Sequence, residues 1–105
     1  MNAKITEIKL NDGAVIKLTA PWKALSIVLS IFPDQREQYF EVMGTPEHDY
    51  LNMIDCFYVH YLCGLVVDND GKLPETYMSR DDFMDNMPQH PASIITIWNE
   101  MMSPN

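Results

Sequence analysis

The sequence predicts an α+β domain, mostly α: a two-stranded N-terminal β-hairpin packed on a bundle of four to five helices. Three observations predict it. "KITEIKL" and "AVIKL" flank the turn sequence "NDG" at the N-terminus. From residue 21 onward, apolar residues recur at helical spacing in segments punctuated by proline and glycine. The chain is 47% apolar and 21% charged over 105 residues, enough for one ordinary core. Residues 1–105 are therefore read as a single domain, with 1–19 the hairpin and 20–105 the helical part.

The hairpin register follows from its loop. A two-residue loop would set Leu10 opposite Val15 and Ile8 opposite Lys17, mixing apolar and charged faces. A three-residue loop, Asn11-Asp12-Gly13, pairs Leu10 with Ala14, Ile8 with Ile16 and Thr6 with Leu18, which makes one face apolar. Glu7 then stands opposite Lys17 as a favourable cross-strand pair. Gly13 falls where a type I turn with a bulge needs a left-handed residue. An isolated hairpin is marginal in water, so this one must pack on the helices.

The helices follow in order. Pro21 suits a first turn, and Trp22, Leu25, Val28, Leu29 and Phe32 then form a helical stripe, with Ile27 and Ile31 beside it. Pro33 breaks the run. "DQREQYFEVM" reads as an exposed second helix with Asp34 and Glu37 early and Gly44 at its end. The longest helix is placed at 46–66, with Thr45 as N-cap, Pro46 at the first position and Glu47 in the first turn. Its stripe is Tyr50, Ile54, Phe57, Tyr61 and Leu65, widened by Leu51, Tyr58 and Leu62, so it belongs at the centre of the fold or in an oligomer. "DNDGKLP" is a turn. "SRDDFMDNM" is a short acidic helix opened by a Ser79/Asp82 pairing. "PASIITIWNEMM" closes the chain, presenting Ile94, Ile97, Trp98 and Met101.

Charge limits the partners. The formal charge is −8. Residues 1–33 hold four lysines against Glu7 and Asp12, a net of +2, and residues 34–105 hold three basic against thirteen acidic residues, a net of −10. Such a chain repels phosphate backbones, so direct nucleic-acid binding is not expected. The N-terminus lacks the apolar core of a signal peptide, and the "ALSIVLSIF" stretch is far shorter than the roughly 20 residues a bilayer span needs. A cytoplasmic protein with reduced thiols and no membrane association is expected.

One constellation raises the question of chemistry. In "DCFYVHYLCG", Cys56, His60 and Cys63 fall within about 60° of one another on a helix and share a face. The two cysteines stand about 10 Å apart there, too far for a disulfide. Three zinc ligands on one straight helix is poor geometry; Cys56 and His60 could supply two, with His48, His90 or an acid completing the set. A Cys56/His60 nucleophile–base pair would need an exposed thiol and a third, orienting group. The reading adopted is that both cysteines act as small buried apolar residues and His60 sits at the edge of the core.

Other motifs are weaker still. If Gly71 were the sixth position of a calcium loop, Val66 and Tyr77 would hold the first and twelfth, and both are wrong. Asp81, Asp82 and Asp85 read as a solvated face. Gly-rich phosphate loops, nucleophile elbows and HExxH motifs are not found in the sequence, and neither enzymatic activity nor a cofactor is expected.

Protein binding is the class left open. Eight residues are methionine, and Met78, Met84, Met87, Met101 and Met102 crowd the last 28 positions. They either fill core gaps or make an adaptable binding surface. Candidate partner-binding residues are Trp22, Ile27 and Ile31 on the first helix, with Met84, Met87, Trp98, Met101 and Met102 near the C-terminus.

"EIKLNDGAVIKLTAPWKAL", Glu7 to Leu25, resembles the opening of small phage tail assembly chaperones. These begin with a hairpin of the form I-x-L-x-D-G-x-x-I-x-L and a short link with proline into a helix. Ile8, Leu10, Asp12, Gly13, Ile16, Leu18 and Pro21 hold those places. The resemblance covers about a fifth of the chain. It implies a non-enzymatic, self-associating cytoplasmic protein of the infected bacterium that coats the long tape-measure protein and helps recruit tail-tube subunits. The alternative class is a small acidic phage-encoded inhibitor that occupies a basic site on a host protein.

Overall fold

A computed structural model describes residues 4–45 and 49–103. Strands β1 (Thr6–Lys9) and β2 (Val15–Leu18) form a two-stranded antiparallel sheet. Five helices follow: α1 (Trp22–Ile31), α2 (Asp34–Gly44), α3 (Tyr50–Asp68), α4 (Arg80–Asn86) and α5 (Pro91–Met102). The fold is α+β and mostly α, with the hairpin at the N-terminus.

The hairpin register is the one its three-residue loop dictates. Thr6 pairs with Leu18, Glu7 with Lys17 and Ile8 with Ile16. Leu10 N–H donates to Ala14 O at 2.8 Å, and Gly13 takes φ +91°. The Asp12 carboxylate accepts from Ala14 N–H, which locks the turn. Thr6, Ile8, Leu10 and Leu18 face inward. Glu7 stands opposite Lys17 as expected, and Lys17 Nζ reaches Asp68 at the end of α3, at 3.2 Å. The reason lies in the packing, since β2 runs along α3.

The loop of the hairpin also reaches across the fold. Asn11 N–H donates to Asn86 O, Asn11 Nδ2 to Met87 O, and Asp12 N–H to Asn86 Oδ1. These bonds satisfy backbone groups at the end of α4 and fix the link into α5.

Helix ends follow their local chemistry, with two corrections. Ser79 caps α4 by accepting from Asp82 N–H, and His90 caps α5 with Pro91 at its first position. Thr45 does not cap the long helix. It ends α2, with its hydroxyl donating to Glu41 O, and the N-cap of α3 is Asp49, which accepts from Asn52 N–H at 2.7 Å. Asp49 wins because its carboxylate reaches the N3 amide directly. Pro46, Glu47 and His48, assigned to that helix from sequence, lie outside the described residues. Gly71 (φ +83°) and Asp70 (φ +55°) turn the chain after α3.

Helix α3 is the hub. It packs against α1, α2, α4, α5 and β2. From Cys56 to Val66 it is buried on nearly every side, whereas Tyr50 and Leu51 in its first turn are exposed. The stripe expected from Tyr50 to Leu65 therefore holds only in its later turns, because the first turn projects beyond its neighbours. By length and composition alone α3 could cross a bilayer, but half of its most apolar stretch is buried against the other elements. Gly64 lets β2 approach closely: a Cβ there would stand 2.9 Å from Lys17 O.

Aromatic residues of α3 carry α4. Phe83 is fully buried, with ring centroids 5.3 Å from Tyr58 and 5.4 Å from Tyr61. Both tyrosine hydroxyls hold the loop before α4, Tyr58 donating to Met78 O and Tyr61 accepting from Met78 N–H. Arg80 closes the same junction on Asp55 at 2.7 Å.

Candidate functional site

Cys56, His60 and Cys63 do share one face of α3, and that face is interior. Burial pushes both thiols up to about 12, with the Asp55 charge adding to the effect at Cys56. Both are therefore protonated near neutral pH, the opposite of what a nucleophile or metal ligand needs. Among the described residues, no three His, Cys, Asp or Glu side chains gather to hold a metal. His90 is engaged at the start of α5, its Nδ1 accepting from Ala92 N–H.

His60 is not at the edge of the core but inside it, 6% exposed. Its Nε2 meets Tyr39 Oη on α2 at 2.7 Å. Burial lowers its pKa to about 4, so the ring is neutral at physiological pH. The neutral ring carries one proton, on Nδ1 if Tyr39 donates to Nε2 and on Nε2 if Tyr39 accepts from it, and Nδ1 has no partner among the described residues. The main chain of His60 also tethers the hairpin, its carbonyl accepting from Thr19 N–H.

The candidate partner-binding residues divide by burial. Trp22 is 80% exposed, so it leaves the core stripe assigned to it and stands at the surface. Position explains this: it is the first residue of α1, beyond the turn that packs on α3. Ile31 and Met102 are also exposed, whereas Ile27 and Met84 are half-buried. Met87 is fully buried and Met101 nearly so, and both belong to the core, not to a surface. Trp98 is half-buried, with its ring 6.1 Å from Phe57. Phe40, which sequence periodicity did not single out, is an exposed large apolar residue, and so are Tyr50 and Leu51, which the periodicity assigned to the α3 stripe.

A cleft of about 340 Å³ lies between the hairpin, α1, α2 and α3, with Met101 of α5 at its wall. Its walls are mostly apolar, among them Leu18, Leu25, Phe40 and Met43. Exposed Trp22 stands on its rim. Thr6 and His60 also line it. Lys4 is the charged residue among the described lining residues, and Lys4 Nζ donates to the carbonyl and the hydroxyl of Ser103 at the end of α5. Sequence periodicity missed the cleft because its lining comes from five elements. A signal was present at Thr6, a hydroxyl on an otherwise apolar strand face.

In comparisons with known proteins, no family model, curated protein or solved structure matches this chain.

Proposed function

We propose that the chain is a non-enzymatic assembly chaperone or adaptor that binds a long helical client through apolar side chains left exposed on its helices. The observation that carries the reading is Trp22. An indole 80% exposed on a helix that otherwise packs on the core is costly to leave in water. Phe40, also exposed, lines the same cleft as Trp22. Aromatic side chains of this kind act as anchors in protein interfaces. The resemblance of residues 7–25 to phage tail assembly chaperones supplies the client class: a tape-measure or tail-tube protein, met in the cytoplasm of the infected bacterium. Self-association belongs to the same reading.

The test is co-purification of the tagged chain from its native lysate at low and high salt, with partners identified by mass spectrometry. A long helical protein retained at high salt, and lost with Trp22→Ala, is the expected result. A basic protein released by salt would favour instead the acidic inhibitor, whose surface includes exposed Asp81, Asp82 and Asp85 on α4. A monomer that retains no helical protein would overturn the chaperone reading.

A further inference from the structure

Two buried side-chain atoms have no hydrogen-bond partner among the described residues: Thr6 Oγ1 and His60 Nδ1. Both residues line the same cleft, and both are more than nine-tenths buried. A buried polar group left without a partner is costly, and native proteins rarely keep one without a use for it. Two residues that carry such atoms line one cleft, a place suited to a polar group from outside the chain.

The chemistry of the lining narrows that group. Among the described lining residues no carboxylate is present, in a chain of formal charge −8. The cation among the described lining residues is Lys4, two residues before the start of β1 at Thr6. An ammonium has three donors, and Ser103 takes two, so one remains. The Thr6 hydroxyl is a donor as well. The remainder is apolar, and the volume of about 340 Å³ lies at the small end of the range for small-molecule sites, roughly 300–1,000 Å³.

We infer that this cleft binds a small organic acid, a carboxylate carried on an apolar body. The carboxylate lies against Lys4 and Thr6, and the body fills the space between Leu18, Leu25 and Met43. Charge-assisted bonds to a carboxylate are short and strong, and the walls beside them are mostly apolar. The inference is independent of the proposed client, since it concerns the interior of the cleft and not its rim.

Octanoate is the probe, compared with octylammonium, which has the same body and the opposite charge. Binding is followed by calorimetry and by amide chemical shifts of the folded chain. Octanoate should bind at least tenfold more tightly and shift residues 4–6, 18–20 and 60. Thr6→Val keeps the shape of the side chain and removes only the orphan hydroxyl, so the fold should lose no stability while octanoate binding weakens about fivefold or more. Lys4→Met should weaken octanoate and leave octylammonium unchanged or improved. Absence of octanoate binding, equal affinity for the two probes, or undiminished octanoate binding by Thr6→Val would each overturn the inference.

Discussion

Replacing Gly64 with alanine sets two effects of opposite sign against each other. Alanine in a helix interior is favoured over glycine by about 1 kcal/mol. At position 64, however, the new Cβ would stand 2.9 Å from Lys17 O, 3.6 Å from Lys17 C and 3.7 Å from Lys17 Cβ. The closest of these is a backbone atom, so no side-chain rotation relieves the contact. Strand β2 must retreat from α3 by about half an ångström to restore ordinary van der Waals separation. That movement strains the Thr19 N–H to His60 O bond, already 3.3 Å long, and unseats Leu18 from the core. Overpacking of this kind costs about 1–3 kcal/mol, and the contact is against main chain, which places the cost in the upper part of that range. The net expectation is a loss of about 1–2 kcal/mol. For a domain of this size each kcal/mol lowers Tm by about 4–8 °C. Urea and thermal unfolding followed by circular dichroism measure it. Gly44→Ala is the internal control: nothing lies within 4 Å of a Cβ there, and it should be neutral or stabilising by up to about 1 kcal/mol. A Gly64→Ala protein as stable as the parent would refute the close approach of β2 to α3.

Three further outcomes follow from the same packing. Phe83→Ala should cost about 3–5 kcal/mol in urea unfolding, because the ring is wholly enclosed by α3 aromatics and its loss leaves a cavity. Burial holds His60 to about 4, below its ordinary 6.5, so the unfolded chain binds its proton first as pH falls. The contribution of this group to stability is complete above pH 6.5, is lost as pH falls from 6.5 to 4, and is level below that, with a total on the order of 3 kcal/mol. A His60→Gln protein whose urea midpoint falls as steeply over this window as the parent's would show that another group is responsible. Cys56 and Cys63 should resist an aromatic disulfide reagent at pH 8 in the folded protein and react fully in urea, and rapid reaction of the native chain would contradict their burial.

The hairpin was legible in the sequence because its determinants are local. Alternation fixes which residues share a face, and a glycine able to take positive φ fixes the loop length. Ser79 and Pro91 marked helix starts for the same reason. The cap of α3 was misassigned because Thr45 and Asp49 are both competent capping residues four positions apart. Only the path of the chain out of α2 decides between them. Burial of Met87 and Met101 was also beyond the sequence, since methionine suits a core gap and a surface equally well.

The cleft was the least legible feature. The side chains on its walls come from the hairpin, three neighbouring helices and the far end of α5, and no spacing rule connects Lys4 to Ser103 or Tyr39 to His60. The sequence by itself determined the elements, the hairpin register and the inward face of the strands, because those depend on side-chain periodicity and on backbone preferences within a few residues. Only the tertiary structure decided that α3 is enclosed along its later turns, that Trp22 stands outside, and that Thr6 and His60 line one cleft. Those outcomes depend on how distant segments share volume, a property of the packed chain and not of any single segment.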